Sequence, residues 1–95
     1  MARTRRLVID LLKPHEPRTL TVAEEVADLA GVDGVNAVLV EVDEEVENVK
    51  LTVEGEDVDF TRIEATLETL GGTIHSVDMV ACGERLIEER ETPQD

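Results

Sequence analysis

The sequence predicts one α+β domain in which two helices lie on one face of a four-stranded antiparallel sheet. Three observations carry this. Ninety-five residues suit a single domain. Four segments read as strands, by alternation or by short β-branched apolar runs, and two carry the stripe of an amphipathic helix. Their order is strand, helix, strand, strand, helix, strand, with prolines, glycines or charged stretches between them.

The first strand is Arg5-Arg6-Leu7-Val8-Ile9-Asp10-Leu11-Leu12. Leu7, Ile9 and Leu11 share one face, and Val8, Asp10 and Leu12 the other. Lys13-Pro14-His15-Glu16-Pro17 should stop it, because proline cannot donate to a ladder. A helix follows from Thr19 to Ala30, with Val22, Val26, Leu29 and Ala30 on its buried stripe. Thr21 and Glu24 have capping-box spacing, Thr19 is a second candidate cap, and Gly31 ends the helix. Val35–Val42 and Val49–Val53 are the next strands, and the charged stretch from Asp43 to Asn48 makes them a hairpin. The second helix starts after Asp59 as N-cap, with Val58 and Ile63 at staple spacing. It buries Phe60, Ile63, Leu67 and Leu70 and stops at Gly71-Gly72. Thr73–Cys82 is the last strand.

Strand–helix–strand–strand–helix–strand is the split βαβ pattern. Right-handed crossovers arrange it as a two-layer ferredoxin-like sandwich with antiparallel sheet order 4-1-3-2. The domain is expected over residues 4–83. Residues 84–95 form a charged C-terminal tail, expected to be mobile, with at most a helical turn near Leu86-Ile87.

Composition narrows the setting. Twenty-three acidic residues against nine basic give a formal charge of −14, only Lys13 and Lys50 are lysines, and Phe60 is the sole aromatic. The acidic residues are spread along periodic segments, which suits a folded protein in a salt-rich cytoplasm better than a disordered acidic tail. Nucleic acid is not an expected partner: Arg3, Arg5 and Arg6 are the only basic cluster, and no aromatic pair offers a stacking platform. No run is long enough to span a bilayer and no signal-peptide core is present, so a cytoplasmic protein without membrane attachment is expected. Cys82 lies in an apolar run and is read as a buried structural thiol.

The sequence phrases Leu11-Leu12-Lys13-Pro14-His15-Glu16-Pro17, Gly31-Val32-Asp33-Gly34-Val35-Asn36, Glu41-Val42-Asp43 and Gly71-Gly72-Thr73-Ile74-His75-Ser76-Val77-Asp78 resemble, in order and spacing, those of an archaeal family of short proteins, domain of unknown function 211. The resemblance covers roughly residues 6–83. It implies a ferredoxin-like fold and a homo-oligomer, with a ring as one form of it, and it brings no activity. The acidic excess and charged extension look like a halophilic variant.

Antiparallel pairing of the first and last strands brings His75 near the end of strand one, and Asp10 near Asp78. Lys13, His15, Glu16 and His75 then form a candidate ligand site. Asp10, His75 and Asp78 form a candidate site for a divalent metal ion such as Zn²⁺, Mn²⁺ or Fe²⁺. The bland reading is that the histidines bond backbone or solvent and that Asp10 pairs with Lys50. Glu41 and Asp43 are a weaker, oxygen-only metal candidate, in an acidic group with Glu44, Glu45 and Glu47 expected at the opposite end from His75, near Arg5 and Arg6. A solvated hairpin is the plainer account of that group.

Assembly has a separate argument. Val38, Val40 and Val42 on one face of the second strand, with Ala37 and Leu39 on the other and Val8 and Leu12 beside them, would leave an apolar surface on the uncovered side of the sheet. Covering even 400 Å² could contribute on the order of 10 kcal/mol before association costs. These observations favour a non-enzymatic oligomeric binding or regulatory module. The alternatives are a small metal-dependent enzyme using Asp10, His75 and Asp78, and a structural assembly subunit without a ligand.

Overall fold

A computed structural model describes residues 2–89. Its elements are β1 (Thr4–Pro14), α1 (Thr19–Ala27), β2 (Gly34–Val42), β3 (Val46–Glu54), α2 (Phe60–Thr69) and β4 (Thr73–Cys82). The four strands form one antiparallel sheet in the order β2-β3-β1-β4, the order expected from the sequence and consistent with a ferredoxin-like fold. β1 and β3 are central, and β2 and β4 are the edges.

The alternation of β1 and β3 builds the core. Leu7, Ile9 and Leu11 stand opposite Val53, Leu51 and Val49, and all six are buried with Val22 and Val26 of α1 and Ile63 and Leu67 of α2. Phe60, Leu29 and Leu70 pack against this cluster from its margin. Asp59 caps α2 as expected, its carboxylate accepting from the Arg62 amide at 3.3 Å. The start of α1 differs. Arg18 occupies the N-cap position with no side-chain bond, so the expected Thr21–Glu24 capping box does not form. α1 also stops at Ala27 rather than Ala30. The Leu29 amide turns back to the Val26 carbonyl and Val32 to Leu29, tightening the chain into the loop before β2.

β1 runs two residues further than expected. Pro14 is the register partner of Val46 at the last rung, a strand end being where a missing N–H costs least. β3 likewise begins three residues earlier than expected, so the link between β2 and β3 is only Asp43-Glu44-Glu45.

Two loops touch at the other end of the sheet. Gly31, at a φ of 87°, and Gly55 bring backbone against backbone. A β-carbon on Gly55 would lie 1.9 Å from the Gly31 carbonyl oxygen, and one on Gly31 2.2 Å from that of Asp57. Only glycine fits this crossing between the end of α1 and the entry to α2.

Register shifts alter which side chains share a face. One falls between Leu39 and Glu41 and leaves Val40 unpaired. Glu41 then takes the rung of Asn48, on the open face, and Val42 the rung of Glu47, on the helix side. Val38 and Val42 therefore do not share a face, contrary to the expectation from simple alternation; the bulge supplies the extra residue.

Candidate functional site

At the C-terminal end of β1 the core-facing row ends in charge. Lys13 continues the row of Leu7, Ile9 and Leu11 and is 1% exposed. Its ammonium group has three donors, and all three are taken: the carbonyls of Pro14 at 2.9 Å and Pro17 at 2.8 Å, and Glu47 Oε1 at 2.8 Å. Glu47 lies opposite Lys13 on β3, continuing the row of Val49, Leu51 and Val53. Its second oxygen, Oε2, lies 2.9 Å from His15 Nδ1. The other ring nitrogen, Nε2, is 2.8 Å from the Glu44 carbonyl in the β2–β3 turn. These bonds tie the Pro14–Pro17 loop to the hairpin. The hydrogen bond to Glu47, aided by the Glu44 carbonyl, holds the His15 pKa above its ordinary value, with slight burial and Lys13 opposing. The bonds from His15 and then Lys13 hold the Glu47 carboxyl below the usual carboxylate range.

This end also corrects the expected position of the acidic group. The β2–β3 turn lies beside the end of β1, not beside Arg5 and Arg6. An antiparallel β3 must begin where β1 finishes, so its hairpin belongs at the His15 end. Glu41 and Asp43 border a cleft of about 420 Å³ together with Leu12, Val42, Val46 and Asn48. Asp43 organises the turn, its Oδ1 accepting from the Glu44 amide at 2.8 Å.

The other candidates lie apart from these. Asp10 is on the open face, opposite Lys50 and Ser76, and accepts from the Asn48 side chain rather than pairing with Lys50. Asp78 accepts from Ser76 Oγ at 2.7 Å. His75 sits at the shift between the Asp10–Ser76 and Leu11–Ile74 rungs and is exposed. β1 separates β4 from β3, so His15, turned toward β3 and the hairpin, and His75 lie on opposite sides of the central strand. Glu16 is exposed in the loop. Among the described residues no three His, Cys, Asp or Glu side chains come close enough to hold one metal ion.

Three of the quoted phrases thus form the Lys13–Pro17 segment, the rim of the cleft and the turn into β4, and the fourth, Gly31–Asn36, forms the loop crossing at the opposite end and the start of β2. The model of the domain of unknown function 211 family, described as "Uncharacterized ArCR", matches residues 5–95. The chain belongs to this family. It is also similar to an uncharacterised protein of Methanocaldococcus jannaschii, with 52% identity over 91 residues that cover 96% of this chain and 94% of the relative.

In this member of the domain of unknown function 211 family, sequence reasoning missed Glu47 and Asn48. Glu47 was grouped with a solvated acidic stretch, yet it joins Lys13 and His15. Extending the β3 alternation backward from Val49 by two residues would have placed it on the core-facing row, opposite the one lysine of β1. Asn48 donates to Asp10 and, at 3.3 Å, to the Leu11 carbonyl.

The far end of the family domain carries its own ties. Arg5 donates to the carbonyls of Gly55, Gly83 and Glu84 at 2.9 to 3.1 Å. Arg6 bridges Glu54 and Glu88, each at 2.7 Å, and those carboxylates hold it still more firmly protonated, Glu88 most. Gly83, Glu84 and Glu88 are thus tied to β1 through Arg5 and Arg6, and residues 83–89 form no helical turn; residues 90–95 of the expected tail lie outside the described residues. Cys82 is exposed rather than buried, because it ends an edge strand, with Thr4 Oγ1 3.7 Å from its sulfur. Among the described residues no helix is long and apolar enough to cross a membrane.

Proposed function

We propose that this protein is a non-enzymatic binding module that works as a homo-oligomer, associating through the two edge strands of its sheet. The observation that carries the reading is where its exposed aliphatic side chains gather. Val38, Leu39, Val40 and Val42 of β2, and Val77 and Val80 of β4, are 40–59% exposed. They lie in a chain of formal charge −14, where solvent-facing positions are otherwise strongly acidic. Val77 and Val80 occupy the rungs of Ile9 and Leu7 on the helix side, yet α2 reaches only the start of β4. The broad open face is more mixed, because Val8 and Leu12 alternate with Arg6 and Asp10 and face Lys50, Asn48 and Thr52. Edge strands also present unpaired backbone groups, which a second copy can satisfy.

The cleft bordered by Glu41 and Asp43 adjoins the end of β2, so a ligand held there would sit beside a subunit contact. The lead-in arginines are engaged within the chain: Arg5 by carbonyls, Arg6 by Glu54 and Glu88, and Arg3 by Glu56. This supports leaving nucleic acid out of the partner set.

Light scattering at micromolar concentration in molar KCl tests the assembly. The expected mass is a multiple of 10.5 kDa, reduced toward the monomer by Val40→Glu or Val80→Glu. A monomeric parent protein defeats the proposal.

A further inference from the structure

The His15 ring is held between two groups that can only accept. Nδ1 meets a Glu47 carboxylate oxygen at 2.9 Å and Nε2 meets the Glu44 carbonyl oxygen at 2.8 Å. A neutral imidazole carries one N–H, so it can satisfy one of these and must point a lone pair at the other. The imidazolium donates to both. We propose that His15 is a proton-dependent clamp that fastens the loop after β1 to the β2–β3 turn while its ring is charged.

The geometry also says which contact opens. Glu47 stays in place when the ring loses a proton, because Lys13 holds its other oxygen at 2.8 Å. A carboxylate is a stronger acceptor than a peptide carbonyl, so the remaining N–H stays on Nδ1 toward Glu47. Nε2 then faces the Glu44 carbonyl lone pair to lone pair, and the turn is pushed away. The event is local, since the Lys13 bonds to Pro14, Pro17 and Glu47 are untouched by it.

The charges around the ring are Glu47 on β3, Lys13 on β1, the neighbouring Glu16, and Asp43, Glu44 and Glu45 in the turn. Glu16 and the three turn carboxylates are exposed. Of these charges Lys13 is the one that works against the charged ring, and its ammonium is already committed to Glu47. The His15 side chain is 45% exposed, so protons reach it without the fold opening.

The test is a nuclear magnetic resonance titration of the full ¹⁵N-labelled chain in high salt, from about pH 5 to 9, across the range in which a histidine titrates. Both His15 ring nitrogens should be protonated at the acid end. The Glu44 and Glu45 amide shifts should move with the His15 midpoint, and in His15→Gln that step should disappear. Glu47→Gln should lower the His15 midpoint relative to the parent. If that variant does not fold, because Lys13 has lost its carboxylate, the parent and His15→Gln titrations decide the matter alone. A singly protonated ring at the acid end, or turn amides that titrate identically in His15→Gln, overturns the clamp.

Discussion

Replacing Gly55 by alanine puts a methyl group into the crossing between the α1–β2 and β3–α2 loops. The new carbon would lie 1.9 Å from the Gly31 carbonyl oxygen and 2.9 Å from both the Gly31 carbonyl carbon and Val32 Cα. All three atoms are backbone, so no side chain can swing aside. Ordinary contact begins near 3.4 Å, and the loops must therefore part by roughly 1.5 Å. Asp33 N–H to Glu54 O at 2.7 Å and Asp57 N–H to Gly31 O at 3.5 Å join the two loops, and Gly55 N–H to Arg5 O at 3.0 Å and Arg5 Nε to Gly55 O at 3.1 Å tie Gly55 to β1. Losing two of them costs about 1 kcal/mol each. Overpacking adds about 1–3 kcal/mol, for a total of about 3–5 kcal/mol. In a domain of this size each kcal/mol moves the melting temperature by about 4–8 °C, so Gly55→Ala should melt at least about 12 °C below the parent. Circular dichroism melts in molar KCl measure it. Gly34→Ala is the control: nothing lies within 4 Å of its β-carbon, and its melting temperature should match the parent's or rise by up to about 8 °C. A Gly55→Ala protein that melts with the control would show that these loops do not meet as described.

Other outcomes follow from charge. His15 has a raised folded pKa, so its contribution to stability is complete below its ordinary value of about 6.5 and fades as pH rises through the folded value. Glu47 is lowered, so its contribution is complete above its ordinary value of about 4.5 and fades as pH falls through the folded value. The cluster is therefore fully engaged between those ordinary values, and the difference in melting temperature between the parent and His15→Gln should be largest there and shrink on the alkaline side; a pH-independent difference contradicts this. The net charge of −14 predicts a melting temperature that rises between about 0.1 and 2 M KCl as repulsion is screened, and a flat response would remove the argument for a salt-rich setting. Elemental analysis of protein purified without chelator should find less than one divalent ion per chain, because Asp10, His75 and Asp78 do not converge within a subunit. Stoichiometric metal that is lost in His75→Ala would revive the metal reading.

The fold was legible because its signals are local and agree with one another. Alternation in β1 and β3, the helical stripe of Val22 and Val26, and the Asp59 cap each pointed to the element that forms. The strand order followed from handedness alone. The candidate site was harder to read, because it depends on register. Linear sequence shows neither the extra residue at Val40 nor the shift at His75, yet each moves the next side chain to the other face. Lys13 and Glu47 were concealed in a different way. Each is a charged residue at the end of an apolar row, and each falls in a loop on the sequence reading, because the expected β1 ends at Leu12, one residue before Lys13, and the expected β3 begins at Val49, two residues after Glu47. Cys82 was read from its neighbours' hydropathy, which says nothing about whether a helix reaches the end of an edge strand.

The rung that joins Thr4 to Cys82 sets the two ends of the folded unit side by side, at the opposite pole from the hairpin turn and the proline loop. A short linker running from the end of β4 to the start of β1 of the next copy could therefore join copies in tandem, at the pole away from His15 and the neighbouring cleft. Such a concatemer would fix the number of subunits by design and leave both valine-lined edges unaltered.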